Sequence, residues 1–144
     1  MYTRILFPTD GSEISDKAMA SALQLARLSG ATLFALAVKD HYPYSALSET
    51  QPIAPQDFMN AQSRIAQARL LKVEAAAEVA QVSCQSHEVE ASHAWEAILD
   101  HAATQGCDLI VMASHGRRGI SALLLGSETQ KVLTHSKLPV LVVR

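Results

Sequence analysis

Leu109-Ile-Val-Met-Ala113-Ser-His-Gly116-Arg-Arg-Gly119-Ile-Ser-Ala-Leu-Leu-Leu-Gly126-Ser127-Glu-Thr-Gln130 decides the fold. Leu109 to Ala113 is an unbroken apolar run introduced by Asp108, the pattern of a strand covered on both faces. A helix restarts at Ser127, which stands at capping-box spacing from Gln130. Glycines and a hydroxyl therefore lie between a buried strand and a helix start, where unpaired N–H groups and the positive end of the helix dipole attract anions. Gly116 and Gly126 allow the backbone to approach a phosphate closely, since glycine has no Cβ and tolerates positive φ. Locally the same glycines also read as plain loop and boundary residues, and Ser127 as an N-cap, a role compatible with holding phosphate.

The same strand-to-helix alternation extends in both directions. Arg4 to Pro8 is a short apolar strand ended by Pro8 and the turn residues Asp10-Gly11-Ser12, after which Ile14, Ala18, Ala22 and Leu25 recur at helical spacing up to Gly30. Asp10 and Ser12 are each placed to cap that helix. Ala31 to Val38 is a second continuous apolar run. His41 to Asp57, with Pro43, Pro52 and Pro55, reads as a long loop of the kind that covers a site. From Phe58, Ala61, Ile65, Ala68, Ala75, Val79 and Val82 sit at three- and four-residue steps, broken by Lys72, and predict a long amphipathic helix. Ser83 to Val89 alternates poorly and fits an edge strand. A helix through Trp95, Ile98, Leu99 and Ala102 follows, and the chain closes with the helix from Ser127 to about Ser136 and the strand Pro139 to Val143. The expected order β-α-β-α-β-α-β-α-β implies an α/β fold, a single open, mostly parallel five-stranded sheet with helices on both faces.

Composition narrows the function. With 144 residues, 49% of them hydrophobic, the chain is long enough for one domain with a substantial core. A net charge of −2 gives no electrostatic footprint for nucleic acid, which is not an expected partner. Cys84 and Cys107 form neither a Cys-x-x-Cys pair nor a disulfide framework, which points to a reducing compartment. No basic segment followed by a long apolar stretch is evident, so no membrane association is expected and the location is cytoplasmic. No serine or cysteine nucleophile is spaced with His115 and an orienting carboxylate, so His115 reads as a loop histidine near a ligand. Cys84-x2-His87 with His93 lacks the paired spacing of a zinc site, so no metal is expected to bind the chain directly, and the Walker pattern is absent.

The chain resembles the universal stress proteins, specifically their nucleotide-binding branch, whose signature Gly-x2-Gly-x9-Gly-Ser/Thr is matched here by Ala113, Gly116, Gly126 and Ser127. The resemblance covers nearly the whole chain: Ile5-Leu-Phe-Pro8-Thr9-Asp10-Gly11-Ser12 looks like the family's first strand and turn, and Leu138 to Val143 like its last strand. Ala113 departs from the pattern by replacing the first glycine. The resemblance implies a Rossmann-like strand order 3-2-1-4-5, with the first and fourth strands adjacent at the switch point, where α/β sheets gather ligands.

It further implies that ATP or AMP is held by Pro8, Thr9 and Asp10, by Val38, by Met112 and Ala113, by His115, Gly116, Arg117, Arg118 and Gly119, and by Gly126, Ser127, Glu128 and Thr129. Asp10 would lie beside the ribose or adenine, Val38 would offer backbone contacts to adenine or be an ordinary core valine, and Ser127 would contact phosphate. Arg117 and Arg118 are either solvated surface or partners of the β or γ phosphates. Any Mg²⁺ would ride on the phosphates. The methyl group of Ala113 is expected to weaken affinity or leave it unchanged, unless its φ must be positive. The family likeness also implies a homodimer through the last strand, at Val140 and Val142, since exposed edges pair. The expected protein is an adenine-nucleotide binder and nucleotide-dependent regulator before it is an enzyme, with slow ATP hydrolysis the most it would catalyse. The alternative, favoured by Ala113, is a dimer that holds no nucleotide and acts only through an as yet unknown protein partner. A small α/β enzyme is a third class, for which a nucleophile or base is missing.

Overall fold

A computed structural model describes residues 1–43, 54–117 and 124–144. The chain runs β1 (Arg4–Pro8), α1 (Glu13–Ser29), β2 (Thr32–Lys39), α2 (Pro55–Ala80), β3 (Cys84–Glu90), α3 (Ala94–Thr104), β4 (Leu109–Ala113), α4 (Ser127–His135) and β5 (Val140–Val143). All four strand pairings are parallel and the order is β3-β2-β1-β4-β5, as expected for the Rossmann-like α/β sheet. Strand alternation divides the core between the faces. Ile5, Phe7, Leu33, Ala35, Leu109 and Val111 pack under α1 and α2, whereas Leu6, Phe34, Leu36, Ile110 and Met112 pack under α3 and α4. Central strands covered on both sides must be apolar at every position, which is why they are legible as continuous runs. The edge expected for Ser83–Val89 is found: β3 pairs only with β2, and β5 closes the opposite edge.

Helix α1 starts at Ser12, whose Oγ accepts the Ser15 N–H at 3.2 Å, with Glu13 and Asp16 in the first turn complementing the dipole. It stops at Gly30, where φ is 69° and the left-handed conformation suits glycine. Ser15, Ala18, Ala22, Leu23 and Ala26 form its buried face, and the four small residues among them bring the helix close to the sheet.

The long helix departs from the expected stripe. Its buried residues are Ala66, Leu70, Val73 and Ala77, while Ile65 is 43% and Val79 87% exposed. An alanine-rich helix carries more than one apolar series at helical spacing, and the larger Leu70 and Val73 decide which one meets β2 and β3. Val82 is buried, but beyond the helix, after Gln81 at φ 58°. The helix also begins earlier than Phe58, because Pro55 serves as a first-turn proline whose missing N–H has no intrahelical partner to lose. Of the loop expected over His41 to Asp57, residues 55–57 are thus helical and 44–53 lie outside the described residues.

Cys84 and Cys107 are free; burial pushes the Cys107 thiol up to about 11, so it stays protonated and unreactive. On the α3 side of the sheet His87 Nδ1 and His101 Nε2 are 3.0 Å apart, within hydrogen-bond distance. Burial, and secondarily the charge of His87, holds the His101 imidazolium below its ordinary 6.5. The unfolded chain therefore takes up a proton that the folded chain resists, and stability rises with pH through this window. The thermal midpoint is expected to fall as pH drops from 7.5 through about 6.5, with a shallower slope in His101→Gln. Equal slopes in the two proteins would remove His101 as the cause.

Candidate functional site

The carboxyl ends of β1 and β4 lie side by side at the point where connections leave to opposite faces, α1 to one and α4 to the other. Asp10 ties the two connections together. Its Oδ1 accepts the Ser12 N–H at 3.0 Å, and its Oδ2 accepts the Arg117 N–H at 2.8 Å. The carboxylate thus shapes the turn ahead of α1 but does not cap it; Ser12 does. Gly11 takes φ 76° in that turn.

Gly116 and Gly126 are required by close approach, not by positive φ, which neither shows. A Cβ on Gly116 would sit 2.8 Å from Asp10 Oδ2, so a side chain there would expel the carboxylate from its contact with the loop. A Cβ on Gly126 would sit 3.1 Å from His115 Cα, at the neck where the Gly126 N–H donates to the Ser114 carbonyl at 2.8 Å. Ala113 is a strand residue paired with Val143, so its methyl group meets no φ penalty. His115 Nδ1 lies 3.1 Å from Ser114 Oγ, beside Gly126. Arg118 and Gly119 lie outside the described residues.

Helix α4 starts at Ser127 as expected, but its N-cap is not Ser127. Gly126 is the N-cap, and Ser127 is the first helical residue. The capping box does not form, because the third residue past the cap is Thr129, whose hydroxyl donates to the Ala113 carbonyl at 3.0 Å, while Gln130 Nε2 donates to the Leu125 carbonyl. No side chain caps this helix. The N–H groups of Ser127, Glu128 and Thr129 are left without intrahelical partners, beside an exposed Ser127 hydroxyl. The Glu128 carboxylate turns away, accepting the Trp95 N–H at 2.7 Å and so capping α3, whose own cap residue His93 supplies no side-chain bond. Thr129 is buried with its hydroxyl committed to the Ala113 carbonyl, and Glu128 is committed to the Trp95 N–H, so neither side chain is free to hold a ligand.

Pro8, Val38 and Met112 share the α3/α4 side, with Pro8 paired to Leu36 and both Val38 and Met112 packed in the cluster of Leu6 and Ile110. The Thr9 N–H donates to the Leu36 carbonyl and the Ala91 N–H to the Lys39 carbonyl, which fixes the alternation of β2. Val38 therefore directs its N–H and C=O toward β1, past the end of that strand at Pro8.

Thr9 and Arg117 face the other side. There a cleft of about 300 Å³ lies between α1 and α2, with Gly11, Asp16, Met19, Ile65, Arg69 and Lys72 also on its walls. Lys72 Nζ pairs with Asp16 at 2.6 Å. Burial, then the charge of Arg117, lowers the Arg69 pKa from its usual value, against the pull of Asp10 and Asp40. Arg69 and Lys72 were not among the expected site residues, and their places at this turn follow only from the packing of α2 on α1.

The Universal stress protein family model matches residues 1–144. Universal stress protein MJ0531 of Methanocaldococcus jannaschii is 32% identical over 145 residues, covering 100% of this chain and 83% of that protein. The structure of hypothetical protein MJ0577 superposes with a TM-score of 0.84 at 29% identity, covering 99% of this chain and 96% of that one. A universal stress protein in complex with cAMP shares the fold, with a TM-score of 0.76 at 24% identity over 99% of this chain and 97% of that one. The strand order and the match over residues 1–144 agree, and the chain belongs to the universal stress protein family.

Proposed function

We propose that this protein binds an adenine nucleotide, ATP or AMP, in the crevice above β1 and β4, and that occupancy regulates its contacts. The observation that carries the reading is the start of α4, which no side chain caps: the amides of Ser127, Glu128 and Thr129 have no intrahelical partners and stand beside the Ser127 hydroxyl, a donor set that a phosphate can cap. The donor set suits phosphate oxygens, which accept but do not donate. The unpartnered backbone edge of Val38, with Pro8 and Met112 on the same side, suits the flat apolar faces and polar edge of adenine. Asp10 stands between these subsites, within reach of a ribose. The family's cAMP complex lends support from a relative of the same fold. Ala113, the feature that favoured a nucleotide-free module, sits in strand conformation and obstructs nothing through its φ.

The test is to denature freshly purified protein, identify any released nucleotide by chromatography, and follow thermal unfolding with and without Mg-ATP. A ligand that binds only the folded state raises the midpoint. Empty protein with an unmoved midpoint would end the nucleotide reading.

We also infer a homodimer through β5. That strand pairs with β4 on one side only, and Leu141 is 39% exposed. Val142→Lys places a charge in the pairing edge and is expected to convert a sedimenting dimer to monomer. A wild-type monomer at micromolar concentration, or a dimer indifferent to the lysine, would refute this interface.

A further inference from the structure

We propose that the cleft between α1 and α2 is a second binding site, for a phosphoryl group, gripped by Arg69 from α2 and Arg117 from the loop after β4. Arg69 belongs to no part of the nucleotide reading, which shares Thr9 and Arg117 with this site. The ion pairs among the described residues are Lys39–Glu88, His41–Glu90 and Lys72–Asp16, so among these residues neither guanidinium has a carboxylate within 4.0 Å. Yet both line one cleft of about 300 Å³, the lower end of small-molecule pockets. Arg69 is half-buried there, and burial together with the charge of Arg117 disfavours its ionised form.

Arg69 is also held in place. A Cβ on Gly11 would lie 3.1 Å from both Cγ and Nε of Arg69, so the missing side chain at Gly11 is what lets the arginine lie against the turn. Thr9 Oγ1 accepts from the Gly11 N–H at 3.2 Å and from the Ser15 hydroxyl at 3.1 Å, which leaves the Thr9 proton free to donate into the cleft. Lys72 is neutralised by Asp16 and adds little net charge. Two unpaired guanidinium forks around a polar donor match the oxygens of a phosphate, and a dianion between them would relieve their mutual repulsion.

The site is separate from the nucleotide crevice in direction. Pro8, Val38 and Met112 lie on the α3/α4 side, the cleft on the α1/α2 side, with the Asp10–Arg117 hydrogen bond between them. Phosphate here would therefore act on the loop that carries the nucleotide's own phosphate donors.

Inorganic phosphate is the probe, titrated at constant ionic strength into ¹⁵N-labelled protein at about pH 8, where phosphate is a dianion. Saturable shifts of the Gly11 amide and the Arg69 Nε–H are expected, with affinity at least about tenfold weaker in Arg69→Gln. Arg117→Gln carries the same expectation should the first variant fail to fold. Shifts that do not saturate, or an affinity unchanged by the substitution, would overturn the site. Phosphate bound alongside ATP upholds a second site gripped by Arg69; phosphate displaced by ATP but not by adenosine would make the cleft part of the nucleotide site and overturn the proposal. Because the probe contains no nucleotide, protein that never binds ATP leaves this titration fully readable.

Discussion

Gly126→Val is expected to abolish nucleotide binding while the chain stays folded. The Cβ it introduces would sit 3.1 Å from His115 Cα and 3.4 Å from His115 Cβ, and the first of these neighbours is backbone that cannot swing aside. The branch of valine adds methyl groups to that overlap, and relief comes only by separating the loop from the start of α4. The Gly126 N–H bond to the Ser114 carbonyl then breaks, and the amides of Ser127, Glu128 and Thr129 move relative to Asp10 and Gly116. Helix α4 itself remains anchored by buried Val132 and Thr129, so far-ultraviolet dichroism is expected to be unchanged. Affinity for ATP is expected to fall by about 100-fold or more, roughly 2.7 kcal/mol. Gly126→Ala places only the Cβ in the tight contact and is expected to give a smaller, graded loss. Valine protein that purifies with a full complement of nucleotide would place the phosphates elsewhere.

The parts of this site that could be read in the sequence are those fixed by local rules. Strand β4 is apolar throughout because both its faces are covered, and the signature glycines follow it at family spacing. The reason for those glycines was not legible. It lies in tertiary contacts, Gly116 against Asp10 at the end of the neighbouring strand and Gly126 against His115 at the base of the same loop, and no spacing rule reports such a distance. The cap position shifted for a related reason: the Thr129 hydroxyl finds the Ala113 carbonyl, a tertiary partner, in place of the local capping pattern offered by Ser127 and Gln130. Glu128 likewise serves α3, a helix it does not belong to.

Helix α2 is the clearest limit. Its length is evident from alanine content, but its buried face is not, since both Ile65–Val79 and Ala66–Ala77 form helical series and only the second meets the sheet. Taking the wrong face hides Arg69 and Lys72, which look like surface charges until α2 is laid beside α1. A cleft built from two helices that pack sideways, on one face of the sheet, leaves no signature in either helix alone.

Asp108→Ala is expected to be the most destabilising polar substitution in the scaffold. At the start of β4 this carboxylate accepts the Thr3 N–H and the Thr3 hydroxyl at 2.8 Å each and the Arg4 N–H at 3.0 Å. It thereby clamps β1 to β4, whose ladder pairs are Ile5↔Leu109 and Leu6↔Ile110 with the Asp108 N–H donating to the Arg4 carbonyl beside them, and those two strands carry the site at their far ends. Hydrogen bonds to a charged acceptor are worth about 1.5–3 kcal/mol each when buried, so with partial exposure the total loss is about 3 kcal/mol. At roughly 2–4 °C per kcal/mol for a chain of this size, the thermal midpoint is expected to fall by about 10 °C. Burial alone would push the Asp108 carboxyl up, but the bonds from Thr3 and Arg4 outweigh it and hold it below its ordinary 3.8. Its contribution is therefore complete above that value and is lost as pH falls below it, so the variant's acid unfolding curve is expected to be flatter in that range. Asp108→Asn keeps one acceptor oxygen but turns an NH₂ toward one backbone donor, the Arg4 N–H or the Thr3 N–H, and is expected to recover only part of the loss. Urea unfolding decides the matter: an alanine variant within about 1 kcal/mol of the parent would mean that the ladder and core hold β1 to β4 without the clamp.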